Sequence, residues 1–238
     1  KKVPPPAPHS RRQKSVSRAS IMEQTILTNA QKKTLSLIVA ERGFDQFYLS
    51  GGTALAAYYL HHRLSDDLDF FSFEEVNAQR VQEFTQLLKR ELSAINIKYD
   101  RIHDRHLFLL QLADEELKVE FVRYPFIQLD PPLAQEGIHV DSIRDIATHK
   151  FAALLDRFDP KDFVDLFFLL KTSSLQKIRE DYEKKFGMQI DDIFLGGEIA
   201  KVKRITALPK MLVPLSLQEL KEFFEAEEAD RKPVEVKF

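Results

Sequence analysis

Gly51-Gly52 stands at a strand-to-helix turn, and Asp67 and Asp69 follow one helix-length later on a short strand. Residues i and i+2 of a strand point to one face, so both carboxylates project together while Leu68, Phe70 and Phe71 supply the apolar context. Two like charges held that close repel unless a cation lies between them. Hard oxygen ligands suit Mg2+ or Mn2+, and Mg2+ usually comes with phosphates. The glycines allow close backbone approach, and a helix N-terminus carries partial positive charge. The chemistry implied is a nucleoside triphosphate, a divalent metal and phosphoryl or nucleotidyl transfer. A tight turn without ligand, and a charged strand end paired with Arg63, are the competing structural readings.

The remaining elements must bring further residues to that point. Apolar spacing predicts a helix from Asn29 to about Arg42, a strand at Phe47–Leu49, a helix over Thr53–His62 and a strand over Asp67–Phe71. Ser72-x-x-Glu75 reads as a capping box for a helix reaching Leu92. Three strands follow, at Ile95–Tyr99, Leu107–Leu112 and Leu117–Val122, with a short one at Ile138–Val140. Helices then run to the end. Ser142-x-x-Asp145 opens one to Arg157, and Asp159-Pro160 opens one to Lys171. Others span Ser174–Phe186 and Ile190–Lys203, and the last begins at the capping box Ser216-x-x-Glu219. Gly196-Gly197 reads as a bend between helical segments. The expected fold is α+β, with a small mixed sheet and flanking helices over residues 22–141 and a helical C-terminal subdomain over 142–238.

Gly51-Gly52 followed by Arg63-x-Ser65-x-Asp67-x-Asp69-Phe70 resembles the signature of the nucleotidyltransferase superfamily. Its spacing is most similar to the AbiEii/AbiGii abortive-infection toxins, also called GTP-binding or tRNA-modifying nucleotidyltransferase-like toxins. Lys150, Arg157 and Lys161-Asp162-Phe163-Val164-Asp165-Leu166 resemble that family's later motifs. The likeness covers roughly Phe47 to Leu170. It implies a nucleotidyltransferase-like fold and an enzyme that moves a nucleoside monophosphate from an NTP to an acceptor hydroxyl such as a tRNA 3′ end. It also implies a cognate antitoxin as partner. Asp67 and Asp69 would hold the metal. Glu120, between Val119 and Phe121, would be a third carboxylate and base, although one charge on an alternating strand is common. Gly51, Gly52, Thr53, Arg63 and Ser65 would bind the nucleotide. Lys150 and Asp165 would act on the nucleotide side, while Arg157 and Asp162 would hold the two subdomains in register. Lys161 and Asp165, at i and i+4, read equally as an ion pair. A small-molecule nucleotidyltransferase and a non-catalytic nucleotide-binding module are the alternatives on the same fold.

The chain has 238 residues, 44% hydrophobic and 30% charged, with a formal net charge of −2. That charge does not announce a nucleic-acid binder, so an RNA substrate would need a local basic patch. Cysteine is absent, which excludes thiol chemistry. The seven histidines form no metal constellation and read as solvated or capping residues. No apolar run approaches the ~20 residues needed to span a bilayer, which predicts no membrane partner and a cytoplasmic protein. Residues 1–21 are basic and proline-rich. They read as a disordered tail, an appended remnant, or sequence upstream of a start at Met22, in preference to a basic arm for nucleic acid.

Overall fold

The computed structural model describes residues 26–229; the basic tail predicted over 1–21 lies outside them. In chain order the elements are α1 (Asn29–Ala40), β1 (Tyr48–Ser50), α2 (Gly51–Leu55, continuing as a π-helical segment over Ala56–Leu60) and β2 (Asp67–Ser72). They continue with α3 (Ala78–Glu91), β3 (Asn96–Ile102), β4 (Arg105–Gln111), β5 (Glu116–Arg123), β6 (Leu133–Gln135) and β7 (Ile138–Val140). The helical half holds α4 (Ile143–Asp156), α5 (Pro160–Leu169), α6 (Leu175–Phe186), α7 (Asp192–Ala200, ending in a 3-10 turn over Lys201–Arg204) and α8 (Leu217–Ala229). The expected α+β class is the one observed.

Seven strands form one mixed sheet in the order β3-β4-β5-β2-β1-β7-β6. β2 pairs antiparallel with β1 and parallel with β5, and β1 pairs parallel with β7. Along β2, Leu68 and Phe70 are fully buried; along β5, Val119 and Phe121 are. Phe121 packs among Phe44, Phe47, Phe70 and Phe84 with ring centroids 5.1 to 6.1 Å away. Each buried side chain of this size contributes about 1.5–3 kcal/mol. A one-residue slip of β2 would turn Leu68 and Phe70 out to solvent. Apolar burial on one face therefore fixes the register of β2 against β5, and that register sets what the other face carries. Asp67 lies opposite Lys118 and Asp69 opposite Glu120. The repulsion of a few charges is too small to undo it.

Helix starts follow the predicted chemistry in the second half. Ser142 caps α4 through Asp145 N–H, Asp159 caps α5 with Pro160 at its first position, Ser174 caps α6, and the Ser216 hydroxyl accepts from Glu219 N–H. A buried Lys185–Asp145 pair at 2.6 Å ties α6 to the start of α4. One continuous apolar core includes Leu49 and Phe121 of the sheet together with Phe151, Phe163 and Phe224 of the helices.

Two predicted features differ, and one strand was not predicted. Ser72 is the last residue of β2, paired with Arg123, and α3 begins six residues later under an Asn77 cap. The sheet ladder outcompetes the capping box. Gly196-Gly197 lies inside α7 and makes no bend. The hairpin strand β6 carries too few apolar residues to be visible in the sequence pattern. No helix of the described residues is long and apolar enough to cross a membrane.

Candidate active site

The exposed face of β2 and β5 floors a cleft of about 440 Å³. Asp67, Asp69 and Glu120 all line it, joined by Gly51 and Gly52 from the start of α2, Ser65 from the loop before β2, and Lys150 from α4. Gly51 has φ +71°, a conformation that an L side chain adopts only with strain. A Cβ there would stand 2.3 Å from Asp69 Oδ2, and one on Gly52 would stand 2.7 Å from Arg63 Nη2. The two glycines thus seat the turn directly against the carboxylate and the arginine. Thr53 lies beneath the floor. It is buried, and its hydroxyl donates to the Asp67 carbonyl, pinning α2 to β2.

The three carboxylates supply hard oxygen donors, and their mutual repulsion is visible. Burial raises the Asp69 pKa to about 6, Glu120 and Asp67 push the same way, and Lys118 opposes them. That donor chemistry fits Mg2+ or Mn2+. Yet among the described residues no three acidic or histidine side chains converge as a ready-made cage. Protein cations occupy the intervening space. Lys118 Nζ lies 3.2 Å from Asp67 Oδ2 and 3.5 Å from Glu120 Oε2. Arg105 donates to the other Glu120 oxygen. Burial opposes the Lys118 charge, but Asp69, Asp67 and Glu120 outweigh it and hold its pKa above the ordinary value.

Behind the cleft is a buried ionic network. Asp165 is fully buried and accepts from Arg63 through both oxygens at 2.7 Å. His62 Nε2 lies 2.7 Å from one of these oxygens, and Lys150 Nζ lies 2.8 Å from the other. Burial alone would raise the Asp165 pKa; Lys150, Arg63 and His62 overcome it and hold the carboxyl far below its usual range. Asp162 accepts from Lys150 at 3.0 Å and from Arg157 at 2.9 Å. Asp165 therefore joins the helical half to the segment before β2. Asp162 and Arg157, expected to do this, pair within the helical half. Lys161 does not pair with Asp165; it lines the cleft with no ion-pair partner among the described residues. Burial lowers the His62 pKa, so the ring is neutral at neutral pH. The network then sets three cations, Arg63, Lys150 and Arg157, against three carboxylates, Asp159, Asp162 and Asp165.

The far wall is aromatic. Phe71 stacks on Tyr124 at 4.7 Å, and His149 meets Tyr124 edge-on at 4.8 Å. His149 Nδ1 sits 3.3 Å from both Ser50 Oγ and Asp141 Oδ2. Burial and Lys185 lower its pKa to about 3, and burial raises that of Asp141 to about 7.

Sequence reasoning missed Lys118, Arg105, Tyr124 and His149 as cleft residues. Only strand alternation offered a signal, since Lys118 and Glu120 share parity. It also misjudged two histidines. His62 is a buried partner of Asp165, and His106 is buried in β4 with Nδ1 2.9 Å from the Tyr99 hydroxyl.

Comparison with known proteins adds the family context. Residues 34–235 match the family described as nucleotidyl transferase AbiEii toxin of type IV toxin–antitoxin systems. A protein of Aquifex aeolicus (strain VF5), aq_aa25, whose own activity is uncharacterised, is 34% identical over 164 residues, which are 67% of this chain and 76% of that one. The fold resembles a Helicobacter pylori protein described as a candidate nucleotidyltransferase: TM-score 0.55, 21% identity, 91% of this chain and 96% of that one. Helicobacter pylori JHP933 is similar at TM-score 0.54 and 22% identity, over 91% of this chain and 93% of that one.

Proposed function

The chain belongs to the nucleotidyl transferase AbiEii toxin family of type IV toxin–antitoxin systems, and on that footing we propose a reaction, a metal and an acceptor for it. It transfers a nucleoside monophosphate from an NTP, with Mg2+ or Mn2+, to an acceptor hydroxyl of RNA such as a tRNA 3′ end. The observation that carries this reading is the β2–β5 register, which sets Asp69 beside Glu120 and Asp67 beside Lys118 on the floor of one cleft.

Asp67 and Asp69 would hold the divalent ion, which when bound neutralises phosphate charge and orients the triphosphate. The Gly51-Gly52 backbone lets phosphates approach, and Ser65, on the same wall, offers a hydroxyl. Glu120 accepts the proton of the attacking hydroxyl, and Arg105 orients it from the other side. The acceptor oxygen forms its bond to the α-phosphorus, and pyrophosphate leaves with the electrons of the broken bond. Lys150 acts as the cleft-facing end of the Asp162–Asp165 network, and its ammonium offsets charge on the triphosphate. Arg63 and Asp165 support it from beneath.

The mouth supports this acceptor. Arg105 and Arg123 stand on the sheet side, and Arg157 and Lys161 on the helical side. Asp104 and Asp159 offset two of these four cations, and the positive remainder matches a strand of phosphates better than a cationic drug. A cognate antitoxin and a cytoplasmic setting belong to the same reading.

The deciding experiment incubates the protein with Mg2+, total tRNA and each α-labelled NTP in turn, beside an Asp67→Ala/Asp69→Ala control. Labelled RNA that disappears in the control is expected. Aspartate-dependent nucleotide binding without labelled RNA would sink the RNA-modifying reading and leave a small-molecule acceptor or a binding module.

A further inference from the structure

Lys118 stands where the chemistry of the cleft calls for a cation. It projects from β5 on the face that carries Glu120, and its ammonium bridges Asp67 and Glu120 at 3.2 and 3.5 Å. Arg105 takes the remaining Glu120 oxygen. Lys118 is 29% exposed, so its flexible stem has open cleft in front of it. An ammonium is a compact charge with three rotatable donors. It exchanges partners more readily than a guanidinium locked in a two-point fork.

We propose that Lys118 is a displaceable counter-cation: it holds the Asp67–Glu120 pair until a divalent ion arrives, then turns to the phosphates that come with the ion. This rests on the metal-dependent transfer proposed above. A Mg2+ ion binds its oxygen ligands at about 2.0–2.1 Å. It competes for the Asp67 oxygen that Lys118 already contacts at 3.2 Å. Two cations on one carboxylate repel, so a bare ion must evict the ammonium and leave it without a partner. A metal–nucleotide complex carries its own negative oxygens and re-pairs it. The bare ion therefore binds weakly and the complex binds well, so metal and nucleotide enter together.

Calorimetric titration of Mn2+ tests this on the full chain, with Lys118→Met and Lys118→Arg beside it. Bare Mn2+ should bind Lys118→Met about tenfold tighter, the factor that releasing two ion pairs of a partly exposed ammonium supplies. Mn2+ with a non-hydrolysable NTP analogue should bind the same variant more weakly than wild type. Lys118→Arg, which keeps the charge, should not gain affinity for bare Mn2+. A thermal melt serves as the folding control: metal-free Lys118→Met should melt below wild type and recover with Mn2+. Unchanged or weaker bare-ion affinity in a folded Lys118→Met, with wild type still taking up Mn2+ and analogue, overturns the role of Lys118. Failure of every protein to take up Mn2+ with the analogue overturns the metal-dependent reading itself, and this inference with it.

Discussion

A carboxylate with no solvent of its own needs the cations around it, and Asp165 has Arg63 and Lys150 within 2.8 Å. Removing one partner from a buried ionic network costs about 3–5 kcal/mol, because the others stay buried without compensation. Asp165→Asn should lose that much stability in denaturant unfolding at pH 7. The pH dependence carries the same signature. The folded pKa lies below the unfolded one, so the stabilisation is fully present above the ordinary carboxylate range of about 3.9 and is lost as pH falls below it. The variant should show a shallower loss between neutral and acid pH. Gly51→Ala should do different damage. A left-handed L residue costs about 1–2 kcal/mol, and the new Cβ meets Asp69 at 2.3 Å. Nucleotide binding measured by calorimetry should fall well beyond what the shift in the melting midpoint explains. Of these residues, the Asp67 and Asp69 pair was legible because strand parity is local. Lys118 and Arg105 were not, because Lys118 meets Asp67 only across 51 residues of chain and Arg105 meets Glu120 only across a strand pairing.

Helix starts were the most legible elements. A Ser or Asp that satisfies a free N–H acts within three residues, as at Ser142, Asp159 and Ser174. The same motif failed at Ser72 because the β2–β5 ladder, a non-local arrangement, extends to Arg123 and claims the residue first. Gly196-Gly197 failed in the opposite sense. Glycine is weakly disfavoured in helices, and the packing of Leu195 and Ile199 into the core keeps α7 helical through both. An added Cβ at either glycine meets nothing within 4 Å. Gly196→Ala and Gly197→Ala should each stabilise the protein by about 0.5–1 kcal/mol, read from denaturant midpoints with transfer activity unchanged.

Over the whole molecule the net charge is −2, so attraction for a polyanion must come from how charge is placed. The cleft mouth gathers it, and Lys161 is the cation there with no ion-pair partner among the described residues. Lys161→Ala should weaken RNA binding and lower the slope of log affinity against log salt by about one, while leaving the melting midpoint near wild type. Filter binding at several salt concentrations would show it, and an unchanged slope would remove Lys161 from the RNA path. Fold class was legible because strand and helix periods differ, but sheet order was not: β1 meets β7 only after some ninety residues. The pairing of β2 with β5 has a consequence for tolerance of change. The ladder clamps both ends of the segment from Phe73 to Glu115. Within it, the β3–β4 turn can lengthen or shorten without moving Asp69 relative to Glu120 or to Arg105, which β4 pairs onto β5. Its β3–β4 hairpin puts His103 and Asp104 at the cleft mouth. The molecule thus separates an invariant jaw from an adjustable lip, so insertions there can retune which acceptor enters while the chemistry stays in place.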